Sequence, residues 1–186
     1  MTEYTPGDTI PWHQQTWGFW AIAIIMTILP SIGGFAGSLI TIPNIKSWYE
    51  LIKKPEWRPP NGAFGPVWSV LYILMGVASF LVWKDADGVT RRNALIVYFT
   101  NLFLNWIWTP IFFGLHQVRA SFFVIVVLDV VVVIMAVLFF KINKVAGAMI
   151  FPYILWLCIA TALNASIWRL NGPVPEPVVN GTKVSD

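Results

Sequence analysis

Charge is the property that this sequence has least of. Only 11% of its 186 residues are charged and 57% are hydrophobic, whereas a soluble domain carries roughly 25% charged residues. This composition excludes an ordinary soluble fold and indicates one membrane-embedded bundle. The net charge of +3 does not predict nucleic-acid binding, because the Lys and Arg residues are scattered over short connecting segments and form no continuous patch.

Cysteine and histidine are also scarce. The single cysteine, Cys158, excludes an intrachain disulfide and a cysteine-based zinc site. His13 and His116 lie far apart, and the chain has no G-x-S-x-G motif, no phosphate-binding glycine loop and no paired carboxylates. We therefore expect no metal site, no cofactor and no hydrolytic catalytic residues. The N-terminus contains no Lys or Arg, so we expect no cleavable signal, and the first apolar segment should direct insertion.

Long apolar runs are what the sequence does contain. Each is close to the ~20 residues that cross a ~30 Å hydrocarbon layer as a helix, and runs this continuous are not those of barrel strands. The sequence thus predicts an all-α membrane protein, a bundle of five transmembrane helices at 17–168. A polar tail at 1–16 and a disordered, proline-rich tail at 169–186 flank it. The predicted spans are Trp17–Thr41, Phe64–Trp83, Asn93–Gly114, Ser121–Phe140 and Ala146–Trp168.

The first connection, Ile42–Ala63, is longer than the others. It contains the start of the stretch KKPEWRPPNGAFGPVW, which continues into the second span. Its charged residues cannot lie in hydrocarbon and mark an aqueous face, and its prolines favour extended backbone. We interpret this Pro- and Trp-rich loop as a structured lid over an internal pocket, with Trp57 pointing inwards. Seven Lys and Arg residues on this side of the membrane against five on the other favour a cytoplasmic C-terminus.

Two polar and aromatic stripes occur inside the predicted spans at four-residue spacing, which places their members on one helix face. Amides in hydrocarbon need partners, so these residues should face the bundle interior. Two interpretations remain open: interhelical hydrogen bonds that fix the packing, or a pocket with aromatic walls. The stripes consist of Asn101, Asn105, Trp108 and Phe112 in the third span, where only the step from Asn105 to Trp108 is three residues, and of Trp156, Ala160 and Asn164 in the fifth.

Two further features have a structural and a functional interpretation. Asp129 is the one acidic residue inside a predicted span; it is either a hydrogen-bonded packing residue or part of a proton pathway. Gly33 and Gly37 have the G-x-x-x-G spacing, which is typical either of a dimer face or of close packing within one chain.

Several separate segments, in order, resemble the TspO/MBR translocator protein family, also called the peripheral-type benzodiazepine receptor family. They are PSIGGFAGS, KKPEWRPP, GPVWSVLYILMGVASFLVWK, LNWIWTPIFFG and PYILWLCIATALNASIW, and together they cover about Pro30 to Trp168. Because the match has several parts in the right order, it is far more specific than any single motif.

The resemblance implies a five-helix bundle whose first loop caps a pocket open towards the cytosol. It also implies a homodimer in the lipid bilayer that binds porphyrins such as protoporphyrin IX, heme-related tetrapyrroles, sterols and benzodiazepine-type ligands. Some members are linked to oxidative porphyrin breakdown, so the function classes are a binding and transport protein, a porphyrin-degrading enzyme that uses pocket tryptophans, or a stress-regulatory scaffold. The implied membrane is the mitochondrial outer membrane in a eukaryote and the cell envelope in a bacterium. The implied ligand-binding residues are Trp57, Asn105, Trp108, Trp156, Ala160 and Asn164.

One position departs from the sterol-binding pattern of the animal members. That pattern has a tyrosine in the last span, where this chain has Ala165, while the basic residue is retained as Arg169. The motif is a weak predictor even when it is complete. We therefore expect weaker sterol binding through this segment, and porphyrin binding should be less affected.

Overall fold

Five long helices account for most of residues 16–172, the part of the chain that the computed structural model describes. All five are long and apolar enough to cross a membrane, which confirms the predicted all-α multi-pass bundle. The two tails predicted at 1–16 and 169–186 lie largely outside the described residues. The helices are α1 (Trp17–Asn44), α2 (Asn61–Asp85), α3 (Gly88–Thr109), α4 (Val118–Ile142) and α5 (Lys144–Asn171).

The first connection is shorter than the predicted Ile42–Ala63. Helical backbone continues from α1 through Pro43 into a π-helical turn at Ile45–Tyr49. Proline has no N–H for the carbonyl one turn back, and the wider π turn that follows absorbs this defect without ending the helix. Irregular backbone spans only 52–60, where three further prolines prevent the helix from continuing.

The order of packing around the bundle is α1, α2, α5, α4, α3, with α3 returning to α1. Asn143 alone joins α4 to α5, and its side chain caps α5 by accepting a hydrogen bond of 2.9 Å from the Ala146 N–H. The two helices then pack at backbone distance, because a Cβ on Gly147 would lie 2.5 Å from Phe140 Cα. This hairpin fixes α5 against α4 along its whole length.

The two glycines of the G-x-x-x-G pattern pack within the chain. A Cβ on Gly33 would lie 2.1 Å from the Trp106 ring, and one on Gly37 would lie 3.3 Å from Thr109. Both partners belong to α3, so the glycines let α1 approach α3 closely. Of the two interpretations of this motif, the structure shows the intramolecular one.

The bundle is solid at one end and hollow at the other. In the half that contains the α2–α3 and α4–α5 links, large side chains with almost no exposure fill the interior. The hollow half contains the first connection, the α3–α4 link and the end of α5. The fully buried side chains of the solid half are Val82, Tyr98, Leu102, Met135, Phe139 and Ile150.

Candidate functional site

An internal cavity of about 660 Å³ occupies the hollow half of the bundle. All five helices contribute to its wall, which is mainly apolar, and none of the described lining residues is charged. The volume lies within the roughly 300–1,000 Å³ that small-molecule sites occupy. Eight aromatic residues form much of the wall: Phe35, Tyr49, Phe64, Trp68, Tyr72, Trp108, Phe112 and Phe113.

Flat aromatic surfaces face the cavity from two sides. On α3 and the π-helical turn after it, Trp108 and Phe112 stack with ring centroids 4.9 Å apart and an interplanar angle of 15°. Their four-residue spacing and the helical path through Pro110 place them on one face. On α2, Trp68 lies over Tyr72 with centroids 5.3 Å apart. A planar apolar molecule can therefore find ring faces on two of the walls.

Asn105 lines the cavity and joins three helices at its inner end. Its amide oxygen accepts a hydrogen bond of 2.8 Å from the Tyr72 hydroxyl, and its amide N–H donates to the Tyr153 hydroxyl at 3.0 Å. Tyr153 donates in turn to Asn101 Oδ1 at 3.2 Å. These four polar side chains are buried, so each bond matters more than it would in water.

Asn164 joins α5 to α3 and α4 on the opposite side of the cavity. Its Oδ1 accepts hydrogen bonds from the Trp108 indole N–H at 3.1 Å and from the Ser121 hydroxyl at 3.2 Å. Its amide N–H donates to the Val118 carbonyl at 3.0 Å. Both lone pairs of Oδ1 are thus used within the protein. Asn105 and Asn164 therefore fulfil the structural interpretation, since they fix the packing, and they also line the cavity.

Four of the six predicted site residues line the cavity together, and two do not. Trp156 packs behind the wall, where its ring meets Phe64 edge to face with centroids 5.4 Å apart. Trp57 is 54% exposed and is not among the lining residues. Trp57 lies in a turn of the first connection, in which the Arg58 N–H donates to the Pro55 carbonyl at 3.3 Å. The four lining residues are Asn105, Trp108, Ala160 and Asn164.

The α2 wall is the part that sequence reasoning missed. Phe64, Trp68 and Tyr72 line the cavity and are spaced four residues apart, which is the same signal that identified the stripes on α3 and α5. All three residues lie inside the predicted span Phe64–Trp83, so helix periodicity is sufficient to place them on one face. Helix α2 begins at Asn61, so all three side chains belong to one helix face.

The first connection is fastened over the hollow end of the bundle. Asn171, at the end of α5, accepts a hydrogen bond from the Lys53 N–H and donates one to the Lys53 carbonyl, both at 2.8 Å. The Lys54 ammonium donates to the carbonyls of Tyr49, Glu50 and Ile52, which caps the helical segment that precedes the loop. The loop is thus held at its start by backbone contacts.

A model of the TspO/MBR family matches residues 15–169 of this chain. The chain belongs to the TspO/MBR family. It is 36% identical to the translocator protein of Homo sapiens over 154 residues, which cover 82% of this chain and 91% of that protein. Protein CrtK of Rhodobacter capsulatus is 39% identical over 148 residues, 77% of this chain and 89% of that protein. Tryptophan-rich protein TspO of Archaeoglobus fulgidus is 36% identical over 150 residues, 81% of this chain and 95% of that protein.

Two positions singled out from the sequence of this TspO/MBR chain, Asp129 and Ala165, lie apart from the cavity. Asp129 is half-buried between α4 and α5, where its Oδ2 accepts a hydrogen bond of 2.8 Å from the Thr161 hydroxyl. Its Oδ1 is buried without a hydrogen-bond partner among the described atoms. Ala165, the residue at the tyrosine position of the sterol pattern, is half-buried beside Asn164 and does not line the cavity.

Proposed function

We propose that this protein binds porphyrins, such as protoporphyrin IX and heme-related tetrapyrroles, in the aromatic cavity and carries them within the membrane. The observation that carries this proposal is an uncharged aromatic cavity of about 660 Å³ inside a TspO/MBR bundle. A flat apolar macrocycle matches the stacked rings of Trp108 and Phe112 on one wall and the tilted rings of Trp68 and Tyr72, 32° apart, on another.

Ring contact supplies most of the affinity in this proposal. Asn105 and Asn164 donate and accept hydrogen bonds within the protein, so few polar groups remain to recognise a ligand. The propionates of a porphyrin would lie towards the aqueous end of the cavity, where Lys53 and Arg58 are exposed on the first connection. A carboxylate there pairs with a solvated cation and avoids the cost of burial in an uncharged wall.

Sterols and benzodiazepine-type compounds are further candidates for the same cavity, because both are apolar and of suitable size. Ala165, at the tyrosine position of the sterol pattern, does not line the cavity, so a sterol also lacks the aromatic ring that the pattern would offer on that separate surface. We expect sterols to bind more weakly than porphyrins. The proposed assembly is a homodimer.

An alternative function is oxidative degradation of the bound porphyrin. The observation that favours it is the presence of two indole rings, Trp68 and Trp108, in the cavity wall, where they would touch the macrocycle. Binding and degradation predict the same complex and differ in the fate of the porphyrin.

One experiment separates the two functions. Protein in lipid nanodiscs is mixed with protoporphyrin IX, and tryptophan fluorescence and porphyrin absorbance are followed in the dark and under illumination. Saturable quenching with a constant absorbance band indicates binding alone, protein-dependent loss of the band indicates degradation, and the absence of quenching refutes both.

The matched variants are Trp108→Leu and Trp57→Leu. Trp108 is in the cavity wall and Trp57 is on the surface, so the first change should weaken porphyrin binding by about tenfold, equivalent to roughly 1.4 kcal/mol. Trp57→Leu should change binding less than threefold. Equal effects of the two changes would contradict binding in this cavity in the conformation described.

A further inference from the structure

The cavity is open on one side, between α1 and α2. Several residues that line it are also exposed on the outside of the bundle. On α1, Phe35 is 72% and Ile42 is 59% exposed, and on α2, Gly65 and Ser69 are exposed. A residue that lines a cavity and is also exposed lies at its opening. We call this opening the α1–α2 mouth; its edges are Phe35, Ser38 and Ile42 on α1 and Gly62, Gly65 and Ser69 on α2.

The mouth exists because the two helices diverge. Towards the solid half they touch at backbone distance, since a Cβ on Gly76 would lie 2.5 Å from the Thr27 carbonyl oxygen. About one helical turn nearer the cavity, a Cβ on Gly34 would lie 2.2 Å from the Tyr72 ring. At the mouth, a Cβ on Gly62 or Gly65 would meet nothing within 4 Å. The separation between α1 and α2 therefore increases from the centre of the bundle towards the first connection.

The mouth opens to the bilayer. Its edges belong to the membrane-spanning segments Trp17–Tyr49 and Asn61–Asp85. At 1.5 Å per residue, Ser69 lies roughly 12 Å along α2 from its first residue, a depth that reaches the ~30 Å hydrocarbon layer. Phe35 and Ile42, which flank the opening, are apolar and suit contact with acyl chains.

The aqueous end of the cavity is covered by contrast. The Asn171 side chain hydrogen-bonds both backbone groups of Lys53, the N–H and the carbonyl. Beside this contact, Trp48 stacks on His116 with centroids 4.3 Å apart and meets Phe112 edge to face at 5.6 Å. The His116 ring also bonds to Asn44 Oδ1 at 3.0 Å. An entering ligand would have to break these contacts, whereas the mouth between α1 and α2 needs no contact to be broken.

We propose that apolar small molecules enter and leave this cavity from the lipid phase, through the α1–α2 mouth. For the ligand class the inference depends on the function proposed above, but the route follows from the geometry alone. Because the ligand would first dissolve in the bilayer, its concentration at the mouth would follow its partition coefficient and would exceed its concentration in water.

The route is tested first without any natural ligand. Ala160, on the cavity wall, is changed to cysteine in a Cys158→Ala background, because Cys158 is exposed. The probe is N-(1-pyrenyl)maleimide dissolved in the bilayer, and the labelling rate is measured with Gly65→Phe or Val70→Phe added. Gly65 edges the mouth, whereas Val70 is 57% exposed and does not line the cavity. Both changes place one phenylalanine on the same helix.

Gly65→Phe should slow labelling by about tenfold or more, and Val70→Phe should leave it within a factor of about two, a spread typical of lipid-facing changes without contacts. A membrane-impermeant sulfonated maleimide should label far more slowly than the pyrene reagent. Equal rates in the two phenylalanine variants, no labelling from the bilayer, or faster labelling by the sulfonated reagent would overturn the proposed route.

A second measurement separates failure of the route from failure of the proposed function. Protoporphyrin IX quenching is followed by stopped flow in both phenylalanine variants. Gly65→Phe should slow association and dissociation together, with a smaller change in affinity, because a route affects both rates alike. Absence of quenching with the labelling pattern intact would refute porphyrin binding and leave the route supported; quenching with equal rates in the two variants would refute the route.

Discussion

The change Asn105→Ala tests how much the polar contacts at the inner end of the cavity stabilise the bundle. Asn105 accepts from Tyr72 at 2.8 Å and donates to Tyr153 at 3.0 Å, and it is only 5% exposed. Hydrogen bonds between membrane helices average about 0.6 kcal/mol and reach about 1.7 kcal/mol. Loss of two such bonds, with one hydroxyl stranded, should lower the free energy of unfolding by about 1–3 kcal/mol.

Because Tyr72 lines the cavity, a water molecule can replace the lost partner and reduce this cost. A double-mutant cycle with Tyr72→Phe isolates the bond itself. Tyr72→Phe should destabilise the wild type by about 0.5–1.5 kcal/mol. In the Asn105→Ala background it should be neutral or stabilising, since it then removes an unpaired hydroxyl. The expected coupling energy is thus about 0.5–1.5 kcal/mol.

The assay is reversible unfolding in mixed micelles of mild detergent and sodium dodecyl sulfate, followed by far-UV circular dichroism. Thr100→Ala is the control, because Thr100 is on the same helix, is exposed and bonds only to the Ile96 carbonyl. It should change stability by less than about 0.5 kcal/mol. Additive effects of Asn105→Ala and Tyr72→Phe, or unchanged stability in Asn105→Ala, would refute the inference that this contact supports the bundle.

Two further predictions concern helix packing and the first connection. Gly76→Ala should lower the melting temperature, because its Cβ would lie 2.5 Å from the Thr27 carbonyl oxygen and relief of that overlap costs about 1–3 kcal/mol. The control Gly65→Ala places its Cβ in open space and should leave the melting temperature unchanged. Similar melting temperatures of the two variants would contradict close α1–α2 contact at Gly76. Asn171→Ala should increase the rate of tryptic cleavage after Lys53 in nanodiscs by about tenfold while the melting temperature stays nearly constant. An unchanged cleavage rate would show that the two bonds to Lys53 do not hold the loop.

The sequence predicts the five helices because each is a continuous apolar run. It places their ends less well, since hydropathy falls at the first charged residues while backbone hydrogen bonds continue into the polar interface. The predicted second span begins at Phe64, but α2 begins at Asn61 and includes Gly62. Asn61 and Gly62 line the cavity, so an error of one turn at a helix end left two lining residues outside the predicted span.

Helix periodicity also explains which of the predicted site residues line the cavity. Residues four apart on an α-helix drift by about 40° around its axis, and residues eight apart drift by about 80°. Ala160 and Asn164 therefore face the cavity while Trp156, at the start of the same stripe, is rotated towards Phe64. The direction of the Trp57 side chain could not be predicted in this way, because loop residues have no periodicity from which a direction can be inferred.

Because one half of the bundle is hollow and the other is solid, the cavity is closed at one end and is not a channel through the bundle. Large side chains close the far end of the cavity, each with less than 2% exposure: Tyr98, Met135, Phe139 and Ile150. Side chains packed this closely leave no passage along the bundle axis. A molecule that binds in the cavity, as proposed above, would in this conformation return to the half of the membrane from which it came. Delivery to the opposite surface would require separation of the solid half, whereas exchange between one leaflet and the adjacent water or a soluble acceptor would not.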